Sequence, residues 1–284
     1  MANQGATMQD LGGQVALVTG GGKGLGRAYA LALAQAGMAV AVTSRTEAEL
    51  QETVQFIEQS GGRALAVPAD VTDPNAVTHL VTMVERRLGP VDLLVNNAGL
   101  LRAIGTVAEV EEDAWWRELE VNVRGPFLCA RAVLPGMIAR RRGRIINLAS
   151  AAGLAPIERG SAYCVSKAAL IRFSETLALE TRELGIAVFA IAPGTVRTPM
   201  NEYMLTSTVV RQRAPVIQQW FEQLYAEGRD TPIEQSVALV LFLASGQADA
   251  LSGRFINVKD DVAELTRRVE EIRNKELYTL RLRQ

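Results

Sequence analysis

Seven short apolar runs recur along the chain, each separated from the next by a longer segment of helical period. They read VALVT (15–19), AVAVT (39–43), ALAVPA (64–69), VDLLVN (91–96), RIINLAS (144–150), AVFAIA (187–192) and FINV (255–258). A strand half exposed to water alternates apolar with polar residues, whereas these runs are apolar at consecutive positions. Both of their faces must be buried, which is the condition of a parallel sheet covered by helices on each side. Right-handed crossovers then give an α/β doubly wound parallel sheet of seven strands. No Pro/Ser/Gly linker or shift of composition divides the pattern. It predicts one domain over 13–259, an N-terminal arm over 1–12 and a C-terminal helical extension over 260–284. In such folds a ligand lies beyond the carboxyl ends of the strands.

Composition removes several function classes. A net charge of −1 gives no electrostatic reason for a nucleic-acid or anionic-membrane partner. The cationic run ARRRGR (139–144) reads as a helix end facing solvent. The first residues lack a cationic start followed by an apolar core, and no stretch approaches eighteen unbroken apolar residues, so the expectation is a soluble, cytoplasmic protein. Two cysteines, Cys129 and Cys164, make neither a disulfide scaffold nor a metal-ligand spacing, so no metal is expected. The single histidine, His79, lies in the pattern of a surface helix, and there is no G-x-S-x-G, which argues against a Ser-His-Asp hydrolase.

The strand ends carry the chemistry. After the first run comes GGGKGLG (20–26), which fails the G-x-G-x-x-G spacing in every register but follows a strand and opens a helical stretch. Gly20, Gly24 and Gly26 let the chain turn tightly and approach a pyrophosphate, whose charge then meets a helix N-terminus near Leu25. Asp70-Val71 follows the third run, NNAG (96–99) the fourth, Ser150 the fifth and PGTVRT (193–198) the sixth. Tyr163 and Lys167 in YCVSK are i and i+4, on one helix face. A tyrosine is a poor acid or base at neutral pH, but an adjacent ammonium favours the phenolate and is expected to lower its pKa. Lysine is rare here, four against 26 arginines, so its compact charge at 167 looks selected. Ser150 would hydrogen-bond a substrate oxygen as charge develops on it.

In this order and at these strand ends, the motifs resemble the short-chain dehydrogenase/reductase family from about residue 12 to 258. The resemblance implies a Rossmann-like fold and a nicotinamide-dependent oxidoreductase interconverting a ketone and a secondary alcohol by hydride transfer. It implies Tyr163 as general acid/base, Lys167 as the residue that lowers its pKa and holds the nicotinamide ribose, and Ser150 as the orienter of the carbonyl. It also implies that Asn122, in EVNVRGPF, completes a proton relay through water. Cofactor contacts carried over are Gly20, Gly22, Lys23, Gly24, Leu25 and Gly26 at the phosphates, Asp70 with Val71 at the adenine, and Asn97, Ala98 and Gly99 along the adenosine. Pro193, Gly194, Val196 and Thr198 complete the set, Thr198 at the carboxamide. The Tyr-to-Lys spacing of four argues against the related enoyl reductases. A non-catalytic dinucleotide sensor or scaffold is the alternative from another class, since fold alone does not exclude it.

Cofactor choice depends on the end of the second strand, where an acid would take a ribose 2′-hydroxyl and an arginine a 2′-phosphate. The tip reads Ser44-Arg45, with no carboxylate before Glu47. With Lys23 in the glycine loop, two cations converge, so NADP(H) is expected to be preferred, with NAD(H) possible. The segment 199–230 carries Met200, Tyr203, Met204, Trp220, Phe221 and Tyr225, and the family resemblance makes it a mobile lid. With Leu100, Leu101, Leu154 and Ile157 it suggests a small hydrophobic carbonyl or alcohol substrate. Val262, Leu265, Val269 and Ile272 predict one amphipathic helix, followed by the apolar patch LYTLRL (277–282). That seam is expected to cover the domain or a neighbouring subunit of a homo-oligomer, a tetramer or dimer by family habit.

Overall fold

The computed structural model describes residues 10–281. Its sheet is wholly parallel, in the order β3-β2-β1-β4-β5-β6-β7. The strands are β1 (Val15–Thr19), β2 (Ala39–Thr43), β3 (Ala64–Ala66), β4 (Leu93–Asn96), β5 (Gly143–Leu148), β6 (Ile186–Ala192) and β7 (Phe255–Asn257). The fold is Rossmann-like, as the doubly apolar runs predict. The order reverses between β1 and β4, and a doubly wound sheet opens its ligand crevice at that point.

Alternate residues of each strand enter different cores. Ala16 and Val18 of β1 and Phe189 and Ile191 of β6 pack with α1 (Gly24–Gln35), α2 (Glu47–Gln59) and α10 (Ile233–Ala244) on one side. Val15 and Leu17 of β1 and Val188 of β6 pack on the other side with α3 (Pro74–Arg87), α5 (Gly125–Arg140) and α6 (Ser161–Thr181). A strand apolar on every position is thus matched by a helix layer on each face.

Residues 112–140 fold as α4 (Glu112–Leu119), a π-helical turn (Glu120–Arg124) and α5. The wider turn re-aims one side chain, Asn122, within an otherwise continuous helix. Three helices, α7 (Pro199–Thr206), α8 (Thr208–Arg213) and α9 (Pro215–Ala226), follow β6 and form a small apolar cluster of their own around Met204, Val210 and Phe221.

The expected single tail helix is instead two, α11 (Val262–Arg267) and α12 (Val269–Asn274), broken at Arg268, whose backbone leaves the helical region (φ −103, ψ 20). Across the break Val262, Leu265 and Ile272 all enter the core beside α1 and α10. The Tyr278 carbonyl then accepts from the Phe255 amide at 2.8 Å, covering the free edge of β7, and Leu280 packs on the cluster of Ile171 and Phe255. Leu282 of the expected patch and residues 1–9 of the expected arm lie outside the described residues. No described helix is long and apolar enough to cross a membrane.

Candidate active site

Every motif singled out at a strand end lies along the same carboxyl edge of the sheet. Gly26 packs so closely under the first turn that a Cβ there would lie 2.2 Å from the Gly20 carbonyl oxygen. Helix α1 begins without a side-chain cap, Lys23 occupying the N-cap position, so its first amides are left for an anion. This uncapped start beside close-packed glycines fits a pyrophosphate. Asn97 donates from Nδ2 to the Thr19 carbonyl at 2.8 Å, and the amides of Asn97 and Ala98 both donate to the Thr19 hydroxyl at 3.0 Å. NNAG is thereby stitched to β1 at the reversal of strand order, with Gly99 against Asn122 and Met200.

Two carried-over contacts have protein partners of their own. The Asp70 carboxylate accepts from the Thr72 amide and hydroxyl and from Arg117 Nη2 at 2.7 Å; partial burial is the largest single effect and raises its pKa, but these bonds and the Arg117 charge together outweigh it and hold the carboxyl below the usual range. Lys23 Nζ lies 2.6 Å from Glu49 Oε1, so of the two converging cations expected at the cofactor tip Arg45, exposed beside Ser44, is the one without an ion-pair partner among the described residues. Sequence reading missed Glu49 because it lies in the first turn of α2, beyond the strand tip. After β6, Gly194 packs against Thr231, the Val196 carbonyl accepts from Asn201 Nδ2 at 2.7 Å, and the Thr198 hydroxyl caps α7. Pro193 and Val71 lie in the adjoining strand-end turns, Val71 packed on Gly125.

Ser150 and Tyr163 share the wall of one cavity of about 440 Å³. Lys167, one turn along α6 and buried, donates from Nζ to the Leu148 carbonyl at 2.7 Å and stands 5.4 Å from the Tyr163 ring centre. The fold holds α6 against the sheet through a buried chain of amides and hydroxyls. Asn96 donates to Asn147 and Asn147 to Ser174, each at 2.8 Å.

The Tyr163 pKa is not lowered as the sequence suggests: burial pushes it up to about 12, against a partial opposing effect of the Ser150 hydroxyl. Lys167 is buried too. Its own pKa is drawn down to about 8, and its hydrogen bond goes to a carbonyl rather than to the phenol. Asn122 is buried and its side chain is fully engaged. Oδ1 accepts from the Leu100 amide at 2.7 Å, and Nδ2 donates to the Leu100 carbonyl and the Ser166 hydroxyl at 2.8 and 3.0 Å.

The family model for short chain dehydrogenase matches residues 14–208. The chain belongs to the short chain dehydrogenase family. A short chain dehydrogenase of Pseudocercospora fijiensis is 36% identical over 266 residues, covering 92% of this chain and 85% of that protein. Among solved structures, a variant of actinorhodin polyketide ketoreductase with NADPH superposes with a TM-score of 0.79 at 32% identity, over 86% of this chain and 95% of that one. NAD+-bound xylitol dehydrogenase superposes with the same score at 31% identity, over 88% and 98%. As a short chain dehydrogenase the protein is an oxidoreductase of a family that binds NAD(P)(H).

In this short chain dehydrogenase most of the remaining cavity wall is apolar, with Glu158, Arg159, Thr195 and Asn201 as its other polar residues. Leu101, Ile157, Met204, Trp220 and Phe221 line it as the sequence suggests, joined by Ile104, Val216 and Ile217. Tyr203 and Tyr225 do other work: Arg102 stacks on the Tyr203 ring at 3.6 Å and Arg197 on the Tyr225 ring at 4.4 Å. Leu154 stands exposed. One buried acid near the site, Glu118, escaped sequence reading, although its i, i+4 relation to Asn122 is the signal that picked out Tyr163 and Lys167.

Proposed function

We propose that the protein interconverts a ketone and a secondary alcohol on a small hydrophobic substrate, with NADP(H) preferred over NAD(H). The observation that carries this reading is that Ser150 and Tyr163 line one mostly apolar cavity, with a buried Lys167 one helical turn from Tyr163. A bound nicotinamide dinucleotide would supply or take up the hydride. The glycine loop and the α1 N-terminus would hold its pyrophosphate, Lys167 its nicotinamide ribose, Thr198 its carboxamide and Arg45 a 2′-phosphate.

The chain's own residues handle the proton. At neutral pH Tyr163 stands as a phenol, ready to give its proton to a carbonyl oxygen as negative charge grows there, while Ser150 holds that oxygen by a hydrogen bond. The reverse direction needs the phenolate, which the burial of Tyr163 opposes; the positive charge that would favour it is the Lys167 ammonium, present below its pKa of about 8. Asn122 fixes Leu100 and, through Ser166, the start of α6, so it positions this set. Leu101, Ile104, Phe221 and Trp220 exclude water and select an apolar substrate. The same reading takes the protein as a homo-oligomer, dimer or tetramer, supported by exposed Phe127 on α5 and by Val165 and Leu179 on α6; its solution mass checks this.

Absorbance of the reduced cofactor, followed with a panel of ketones and secondary alcohols, tests the function. Turnover with an apolar ketone is expected. Cofactor binding without turnover on any member would favour the dinucleotide-binding sensor instead.

A further inference from the structure

Glu118 of α4 is completely buried, yet it carries no part of the proton transfer described above. Its Oε2 accepts from the Arg102 and Ala103 amides at 2.7 and 2.9 Å. One turn on, Asn122 grips Leu100 by both amide and carbonyl. Together they clamp the segment that carries Leu101 and Ile104, two residues of the cavity wall.

The clamp alone does not account for an acid. Two amides need only a carbonyl oxygen, which a neutral glutamine would supply, whereas Oε1 of Glu118 is buried without a hydrogen-bond partner among the described residues. An ionised carboxylate left so is costly unless an opposite charge faces it. The groups that face it are known from each neighbouring element. Lys167, with Tyr163 and its neighbour Cys164, lies on α6, which packs on α4, and Arg102 lies on the clamped segment. On α4 itself Arg117 is turned away to Asp70 and Glu120. Arg102 is only partly buried and stacks on Tyr203, so Lys167 is the fully buried cation that matches a buried anion.

We propose that Glu118 is a positioning residue, the buried counter-charge of the Lys167 ammonium as well as the clamp of the 100–103 wall. It acts through Lys167, so its place in catalysis rests on the function proposed above. Burial is the largest effect on both groups, raising the Glu118 pKa and drawing that of Lys167 down, and each charge opposes that shift in the other, for Glu118 after the Ala103 and Arg102 amides.

The test is Glu118→Gln, which keeps an acceptor for both amides and removes the charge. The chain has four lysines, so carbon-labelled lysine gives a sparse NMR spectrum in which Lys167 is assigned by its loss in Lys167→Arg. In the protein without cofactor, Lys167 is expected to lose its proton on the order of one pH unit lower in Glu118→Gln than in the wild type. Glu118→Asp keeps the charge but draws it back, and gives a smaller shift in the same direction; it serves if the glutamine variant does not fold. The alkaline limb of kcat/KM is expected to move with the lysine titration. An unmoved Lys167 titration, with or without a fall in melting temperature, overturns the proposal and leaves Glu118 a structural clamp. Failure of the wild type to turn over any carbonyl or alcohol would instead overturn the function, and the lysine titration would still decide the pairing.

Discussion

Lys23 and Glu49 form an ion pair at 2.6 Å, so the cation nearest the glycine loop carries its own neutralising charge. The pair is partly exposed, and such pairs contribute little stability, so its consequence is for binding. Glu49→Gln is expected to free Lys23 and raise NADPH affinity several-fold over NADH. Arg45→Asp is expected to narrow or reverse any preference, since a charge-assisted phosphate contact contributes roughly 1.5–3 kcal/mol. Direct titration of both cofactors into each protein checks this; equal affinities in the wild type would contradict the NADP(H) reading.

Tyr163→Phe removes the one proton-bearing group of the cavity wall that both faces Ser150 and lies a helical turn from Lys167. Turnover is expected to fall by a factor on the order of 10² or more, because general acid catalysis contributes that much. Cofactor affinity should hardly change, because the phenol is not among the groups proposed to grip the dinucleotide. Steady-state kinetics with a cofactor-binding titration separates the two effects.

Lys167 sets a pH dependence whose sign follows from burial. Its folded pKa, about 8, lies below its ordinary 10.5, so the folded protein sheds this proton first. Between those values the unfolded chain binds more protons, and the Lys167 contribution to stability rises with pH across that window. Activity runs the other way. Reduction measured as kcat/KM for the cofactor, which reports the free enzyme, is expected to fall as pH climbs through about 8 and the ammonium is lost. A flat profile through pH 9 would contradict the role given to this residue.

The fold was legible because each strand is apolar on both faces and alternates with a helical segment, a combination that a doubly covered parallel sheet satisfies. The strand ends were legible for the same reason, since they fix where polar residues such as Ser150 and Asn97 must gather. What escaped depends on partners brought in from elsewhere in the chain. Glu49 reaches back to Lys23, Arg117 crosses to Asp70, and the π-helical turn aims Asn122 at Leu100. The Tyr163 pKa escaped because spacing shows that two groups are neighbours, whereas their proton affinities depend on how deeply both are buried. The tail was half legible: its apolar seam was visible, its break at Arg268 was not.

The tail also yields a prediction about stability. Ile272 is fully buried among residues of α1, α10 and β7, and Arg281 reaches Glu175 in the middle of α6, where Arg172 also holds the Leu280 carbonyl. A frayed tail would make none of these contacts. Ile272→Ala deletes buried carbon and leaves a cavity, which costs about 2–5 kcal/mol at a packed site. Arg281→Ala strips one partner from a buried carboxylate and loosens α6 two turns beyond Lys167. The expected outcome is a lowered unfolding midpoint for Ile272→Ala with near-normal turnover in the cold, and a smaller loss for Arg281→Ala. Denaturant unfolding read alongside kinetics at low temperature checks both. An unchanged midpoint for Ile272→Ala would mean that the extension does not pack on the domain in solution.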